Sequence, residues 1–95
     1  MRLFWSLEAL EDLAALREFI ERDDPAAARR TALRIVEAVE TLIPANPKVG
    51  RPGRLSGTRE LVIARTPFVV PYRLHEGTIE VLRVFHGARR WPDRL

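Results

Sequence analysis

Residues 7–43 constrain the fold most strongly, because two amphipathic helical stripes meet there across a turn too short for anything but a hairpin. Ala9, Leu10, Leu13, Leu16 and Ile20 recur at three-to-four spacing and share one helical face, with Ser6 placed to cap a helix that starts near Leu7. Glu8, Glu11, Asp12, Glu18 and Glu21 fall largely outside that stripe, the early acids lying where the helix dipole favours them. Arg22-Asp23-Asp24-Pro25 is a turn in which Asp24 caps and Pro25 takes the first helical position, where a missing N–H costs nothing. From Pro25 to about Ile43, Ala28, Ala32, Ile35, Val39 and Leu42 continue a second stripe. Facing stripes and a short turn give an antiparallel αα-hairpin, with Ala28 and Ala32 letting the axes approach. Leu10, Leu13, Leu16, Ile20, Ile35, Val39 and Leu42 are its expected core contribution.

The remainder reads as sheet. Leu3-Phe4-Trp5 suits a first strand, Trp5 being expected in the core. Pro44, Pro47, Gly50, Pro52, Gly53 and Gly57 make 44–57 a long loop that carries Lys48, Arg51 and Arg54 with no acid, either a functional loop or a flexible linker. Arg59–Ile63 and Phe68–Leu74 read as strands, and Glu76-Gly77 turns the chain tightly into Ile79–Phe85. Pro71 cannot donate to a ladder, so its strand must lie at an edge or be bulged there. In the last strand, Ile79, Val81, Arg83 and Phe85 point one way and Glu80, Leu82 and Val84 the other. The order β-α-α-β-β-β places a helical hairpin on one face of a mainly antiparallel sheet, an α+β fold in a single domain spanning residues 1–95.

At 95 residues, one domain can bury a core without staples. The absence of cysteine excludes disulfides and thiolate zinc sites. The two histidines, His75 and His86, lie in different settings, so neither a His-based metal site nor a cofactor is expected. No apolar stretch approaches the roughly 20 residues that span a bilayer. Met1-Arg2-Leu3-Phe4-Trp5 lacks a secretory h-region, so a cytoplasmic address is expected.

Charge is divided unevenly. Residues 1–43 hold six arginines against nine acids, whereas residues 44–95 hold ten basic residues against four acids. An anionic partner would be drawn to the second half. The densest cluster follows the last strand: Arg83-Val84-Phe85-His86-Gly87-Ala88-Arg89-Arg90-Trp91-Pro92. A strand that only packs a core has no need of this ending. Arg83, His86, Arg89, Arg90 and Trp91 of this ending are therefore candidate binding residues, joined by Arg65 and Arg73 from earlier in the basic half. Four of them have a plainer alternative. Arg73 and Arg83 would otherwise pair with Glu60, Glu76 or Glu80 across strands. His86 would end a strand with its ring on a carbonyl, and Trp91 would fold back on the sheet. His75, beside a turn, is read as surface without a role.

A collinear set of segments resembles the RelE/ParE toxins of bacterial type II toxin–antitoxin modules. It comprises Trp5-Ser6, Ala9 with Asp12-Leu13, Ala26-Ala27, Pro47 with Gly50-Arg51, Arg59-Glu60-Leu61, Tyr72-Arg73 and Leu82-Arg83-Val84-Phe85-His86-Gly87. The resemblance runs nearly end to end and implies the fold derived above, together with a cognate antitoxin partner and a toxin–antitoxin hetero-oligomer. It implies one of two targets. RelE-like members cut mRNA in the ribosome with basic residues and a terminal His or Tyr; ParE-like members poison DNA gyrase without chemistry of their own. Cleavage through a 2′-hydroxyl needs a base, an acid and cations for the transition-state charge. Here only His86 shuttles protons readily near neutral pH. The arginine that such nucleases carry before the tyrosine of the third strand corresponds to Val69 or its neighbour. The terminal His/Tyr pair is replaced by Gly87-Ala88-Arg89-Arg90-Trp91-Pro92. Both departures favour the ParE-like branch over a ribosome-dependent endoribonuclease, with a degenerate, non-toxic member as a third possibility.

Overall fold

The computed structural model describes residues 1–95 and runs β1 (Arg2–Trp5), α1 (Leu7–Glu21), α2 (Pro25–Ala45), β2 (Arg51–Pro52), β3 (Arg59–Val62), β4 (Phe68–His75), β5 (Thr78–Val81) and β6 (Phe85–His86). The sheet order is β1-β5-β4-β3-β2, with β6 paired to the start of β4. β1 and β5 are parallel and every other pairing is antiparallel. The α+β layout is the one expected from the periodicities, with the β1–β5 pairing and the short β2 inside the loop as additions.

The helix boundaries follow from their caps. Ser6 Oγ accepts the Ala9 N–H at 3.0 Å and donates to the Leu82 carbonyl at 2.8 Å, so one hydroxyl starts α1 and fastens it to the far end of the chain. Asp24 accepts from the Ala27 N–H at 3.0 Å, with Pro25 at the first helical position. α2 continues past Pro44 to Ala45 because the Asn46 N–H still reaches the Leu42 carbonyl, at 3.1 Å.

Ala9, Leu16, Ile35, Val39 and Ile43 from the helices meet Leu61, Ile63, Val70, Tyr72, Ile79, Val81 and Val84 in one core. Leu13, Ile20 and Trp5 pack against it partly buried, and the Trp5 indole N–H donates to Glu40 at 3.1 Å. Two expected core residues lie outside: Leu10 is 48% exposed and Leu42 45%. Each lies at the margin of its stripe: α1 packs through Ala9, Leu13, Leu16 and Ile20, which leaves Leu10 outside, and in α2 Ile43 rather than Leu42 follows Ile35 and Val39 onto the buried face.

The 44–57 loop is tied down, so it is not a free linker. The Tyr72 hydroxyl donates to the Pro47 carbonyl at 2.8 Å and accepts the Gly50 N–H at 2.9 Å. Arg59 reaches the carbonyls of Lys48 and Gly50. Gly50 must remain glycine, since a Cβ there would stand 2.7 Å from the Tyr72 ring and hydroxyl and 2.9 Å from the Glu60 carbonyl. At the other end of β4, Glu76 (φ 49) and Gly77 (φ 76) form the two-residue hairpin turn that demands positive φ twice.

Two expectations follow. Ile35→Ala should cost about 2–5 kcal/mol, whereas Leu10→Ala should change stability by only about 0.5 kcal/mol; denaturant unfolding of the two variants checks this. Tyr72 is the only tyrosine, and burial raises its pKa above the usual value, opposed by its Gly50 hydrogen bond and the Arg59 charge. The unfolded chain therefore ionises first. The neutral phenol's contribution to stability is complete below the ordinary pKa of about 10 and is lost as pH rises through the folded value. A phenolate absorbance titration should shift to lower pH on adding denaturant.

Candidate functional site

The last strand is interrupted, and the interruption builds the site. Tyr72 faces Val81 and Val69 faces Phe85. Val70 and Pro71 of β4 thus oppose Leu82, Arg83 and Val84, one residue too many for a regular ladder, which is a β-bulge. It also explains how Pro71 sits buried in a central strand. Its carbonyl accepts the Leu82 N–H at 2.9 Å, so its nitrogen faces the same side, where the ladder is already broken. The alternation expected for an unbroken strand is consequently reversed: Val84, not Arg83, joins Ile79 and Val81 in the core.

Arg83 turns instead to α1. Its Nε and Nη2 donate to the two carboxylate oxygens of Asp12 at 2.7 and 2.9 Å, and the Val84 N–H adds a third bond to Asp12 at 3.0 Å. The Asp12 hydrogen bond raises the Arg83 pKa above its ordinary value, against the opposing effect of burial and with help from the charges of Asp12, Glu8 and Glu11. The expected cross-strand pairing of Arg83 with Glu60, Glu76 or Glu80 is absent because the bulge points it at the helix.

From Arg83 a stack of planar groups crosses to the tail. The Arg83 guanidinium lies 4.6 Å from the Phe85 ring centre, Phe85 and Trp91 are 4.8 Å apart, and the Arg54 guanidinium lies 3.7 Å over the Trp91 ring. Trp91 has thus folded back, and its indole N–H donates to the His86 carbonyl at 3.3 Å. Arg54 belongs to the acid-free loop and is fixed by Glu60. Glu60 is 2% exposed and accepts from the Arg54 N–H at 2.8 Å and from Arg51 Nη2 at 3.0 Å.

Beside this stack a cleft of about 800 Å³ opens between α1 and the β3–β4 turn, rimmed by the tail. Leu16, Phe19, Ile20, Phe68 and Phe85 supply apolar lining. Arg65, Arg83, His86, Arg89, Arg90 and Trp91 all line it. Arg73 does not: it sits directly across from Glu80 and pairs with it at 2.6 Å. His75 is exposed, 3.9 Å from Glu76. Arg65 adopts φ 63, a left-handed conformation that costs a non-glycine residue about 1–2 kcal/mol. His86 stands edge-on to Phe68, and its Nδ1 accepts the Ala88 N–H at 3.2 Å, leaving Nε2 as its free nitrogen.

A family model for the ParE toxin of type II toxin–antitoxin systems matches residues 3–91. The chain belongs to this family. It is therefore a toxin of a type II toxin–antitoxin module. Among relatives of this ParE-family chain, Y4kP of Sinorhizobium fredii is 45% identical over 99% of this chain and 96% of its own length. Toxin RelE2 of Caulobacter vibrioides is 36% identical over 93% of this chain and 97% of its own. Among solved structures, the chromosomal ParDE system from P. aeruginosa superposes with a TM-score of 0.84 at 34% identity, covering 90% of this chain and 95% of that one. The RelBE2 toxin–antitoxin complex from Mycobacterium tuberculosis gives 0.64 at 26% identity, with the same coverage.

Two residues of the site were not among those singled out from the sequence. Asp12 falls among the acids largely outside the α1 stripe, and its one signal was its place beside Leu13 in the family resemblance. Arg54 had only its place in an acid-free loop. Asp12→Ala should leave Arg83 unpaired and the Val84 N–H unsatisfied, destabilising the fold by about 2 kcal/mol. An Asp12→Ala unfolding midpoint equal to that of wild type would show that the bulge does not depend on this carboxylate.

Proposed function

We propose that this toxin acts in the ParE-like manner, arresting growth by binding DNA gyrase, and that a cognate antitoxin neutralises it. The observation that carries the reading is the chemistry of the cleft. It gathers cations and aromatics suited to anchoring an interface, with a single imidazole, His86, whose Nδ1 is engaged by the Ala88 N–H. Asp12, the carboxylate beside Arg83, is consumed by structural bonds. General acid–base cleavage of RNA needs two proton-transfer partners on opposite sides of a phosphate; beside His86 the lining offers Asp12, held by Arg83, and Glu18 on α1, so the reading rests on the excess of cations, five arginines against these two carboxylates. The higher likeness to the ParDE structure than to RelBE2 supports the same branch.

The same cleft fits an antitoxin tail. An amphipathic segment would lay apolar side chains on Leu16, Phe19, Ile20 and Phe68, with its acids against Arg65, Arg89 and Arg90. Antitoxin and target then compete for one surface, which is how binding alone would silence the toxin.

Expression without antitoxin should stop growth and induce the SOS response, and purified protein should inhibit gyrase supercoiling while leaving RNA intact. Replacing Arg89 and Arg90 together by alanine should weaken inhibition at least about tenfold. Ribosome-dependent mRNA cleavage that disappears in His86→Ala, with supercoiling untouched, would place the protein in the nuclease branch. Harmless expression together with failure to co-purify with the product of an adjacent small gene would mark a degenerate member.

A further inference from the structure

Arg54 lies outside the cleft lining, yet it is the last member of the stack that holds the tail. Its guanidinium covers one side of Trp91 at 3.7 Å, and Phe85 meets the same indole at 4.8 Å. The indole therefore touches both a cation from the 44–57 loop and a ring from β6. Neither attachment is casual. The Arg54 main chain is bonded to buried Glu60, the Gly53 N–H is bonded to the Thr58 carbonyl at 2.8 Å, and the Phe85 ring is covered by Asp12-bound Arg83. Arg89 and Arg90 stand immediately before Trp91, at the cleft rim, and neither has an acid within ion-pair distance. The Arg89 N–H and the Trp91 indole N–H both donate to the His86 carbonyl, which folds residues 86–91 into one compact turn.

We infer that Arg54 is a positioning residue for target binding: by clamping Trp91 against Phe85, it fixes the unpaired Arg89-Arg90 pair at the mouth of the cleft. Without Arg54 the end of the tail keeps only the Phe85 contact and the bonds to the His86 carbonyl. The two cations would then sample many directions, and binding would have to restrict them. Arginine suits the task because its planar guanidinium stacks on an indole while remaining charged. Arg54 and Trp91 both lie outside the twelve-residue core cluster, so loosening the clamp should separate tail order from folding.

This inference rests on the toxin reading above, and its test separates the two. In a Trp5→Phe background Trp91 is the sole tryptophan, so its fluorescence reports the tail alone. Arg54→Ala should raise acrylamide quenching of Trp91 about twofold or more and shift its emission to the red, with a nearly unchanged unfolding midpoint. Growth inhibition should fall about tenfold, the loss expected on disordering an anchor worth one factor of ten. Arg54→Lys, which keeps a cation over the ring, should recover much of both. Quenching that does not change in Arg54→Ala overturns the clamp. A freed Trp91 with full growth inhibition overturns the positioning role. A wild type that is harmless to cells overturns the toxin reading and with it this role, whereas the quenching comparison still decides whether the clamp exists.

Discussion

Asp12 is the point at which the helical and sheet halves of the molecule depend on each other. One carboxylate closes two bonds to Arg83 and one to the Val84 N–H. The second kind of bond matters as much as the first. A bulge leaves main-chain groups without ladder partners, and a part-buried N–H that finds none costs about 1–3 kcal/mol. Asp12 satisfies it from a helix that Ser6 has already fastened to Leu82. The bulge in turn decides which side chains of the last strand enter the core and which face the cleft. Without it Arg83 would point into the core and Val84 away from it.

From that bond an alternating series runs across the molecule: Asp12, Arg83, Phe85, Trp91, Arg54, Glu60. Anions stand at both ends, cations inside them and aromatic rings at the centre. Each neighbour satisfies what the next requires. The carboxylates neutralise guanidiniums that would otherwise be costly to draw against apolar surface, and the rings accept the guanidinium faces. The terminal anions come from α1 and β3, elements far apart in sequence. The series thereby ties the helix, the bulged strand, the tail and the long loop into one rim. The loop is held a second time by the Tyr72 hydroxyl, which both donates and accepts within it.

The fold was legible from the chain because its signals are local. Ser6, Asp24 and Pro25 mark helix starts by their own chemistry, Glu76-Gly77 marks a hairpin, and the 3.6-residue stripes define a helical pair. Pro71 announced a bulge or an edge and the bulge proved to be the answer. What escaped was set by distance. Asp12 and Arg83 lie 71 positions apart, so nothing near either one reveals the pairing. The bulge could not be assigned to the partner strand, because the extra residue is defined only by register against β4. The swap of Leu42 for Ile43 has the same origin: a stripe is visible in sequence, but which residue at its margin is buried is set by tertiary packing.

The clustering of site residues shows a similar division. Six of the seven candidates line one cleft because they come from the bulge, the tail behind it and the β3–β4 turn that closes on it. Arg73 differs although it occupies the same sheet, because it sits where β4 and β5 are still in regular register and Glu80 is directly opposite. Regular pairing neutralises a cation with its cross-strand neighbour, whereas irregular pairing leaves cations to find partners elsewhere or to remain free. Arg65 held at positive φ, Arg83 turned to a helix, and Arg89 and Arg90 without acids all follow the places where the ladder fails. The interruption of the sheet thus concentrates unneutralised positive charge beside exposed aromatic surface, which is the combination an anionic, partly apolar partner would recognise.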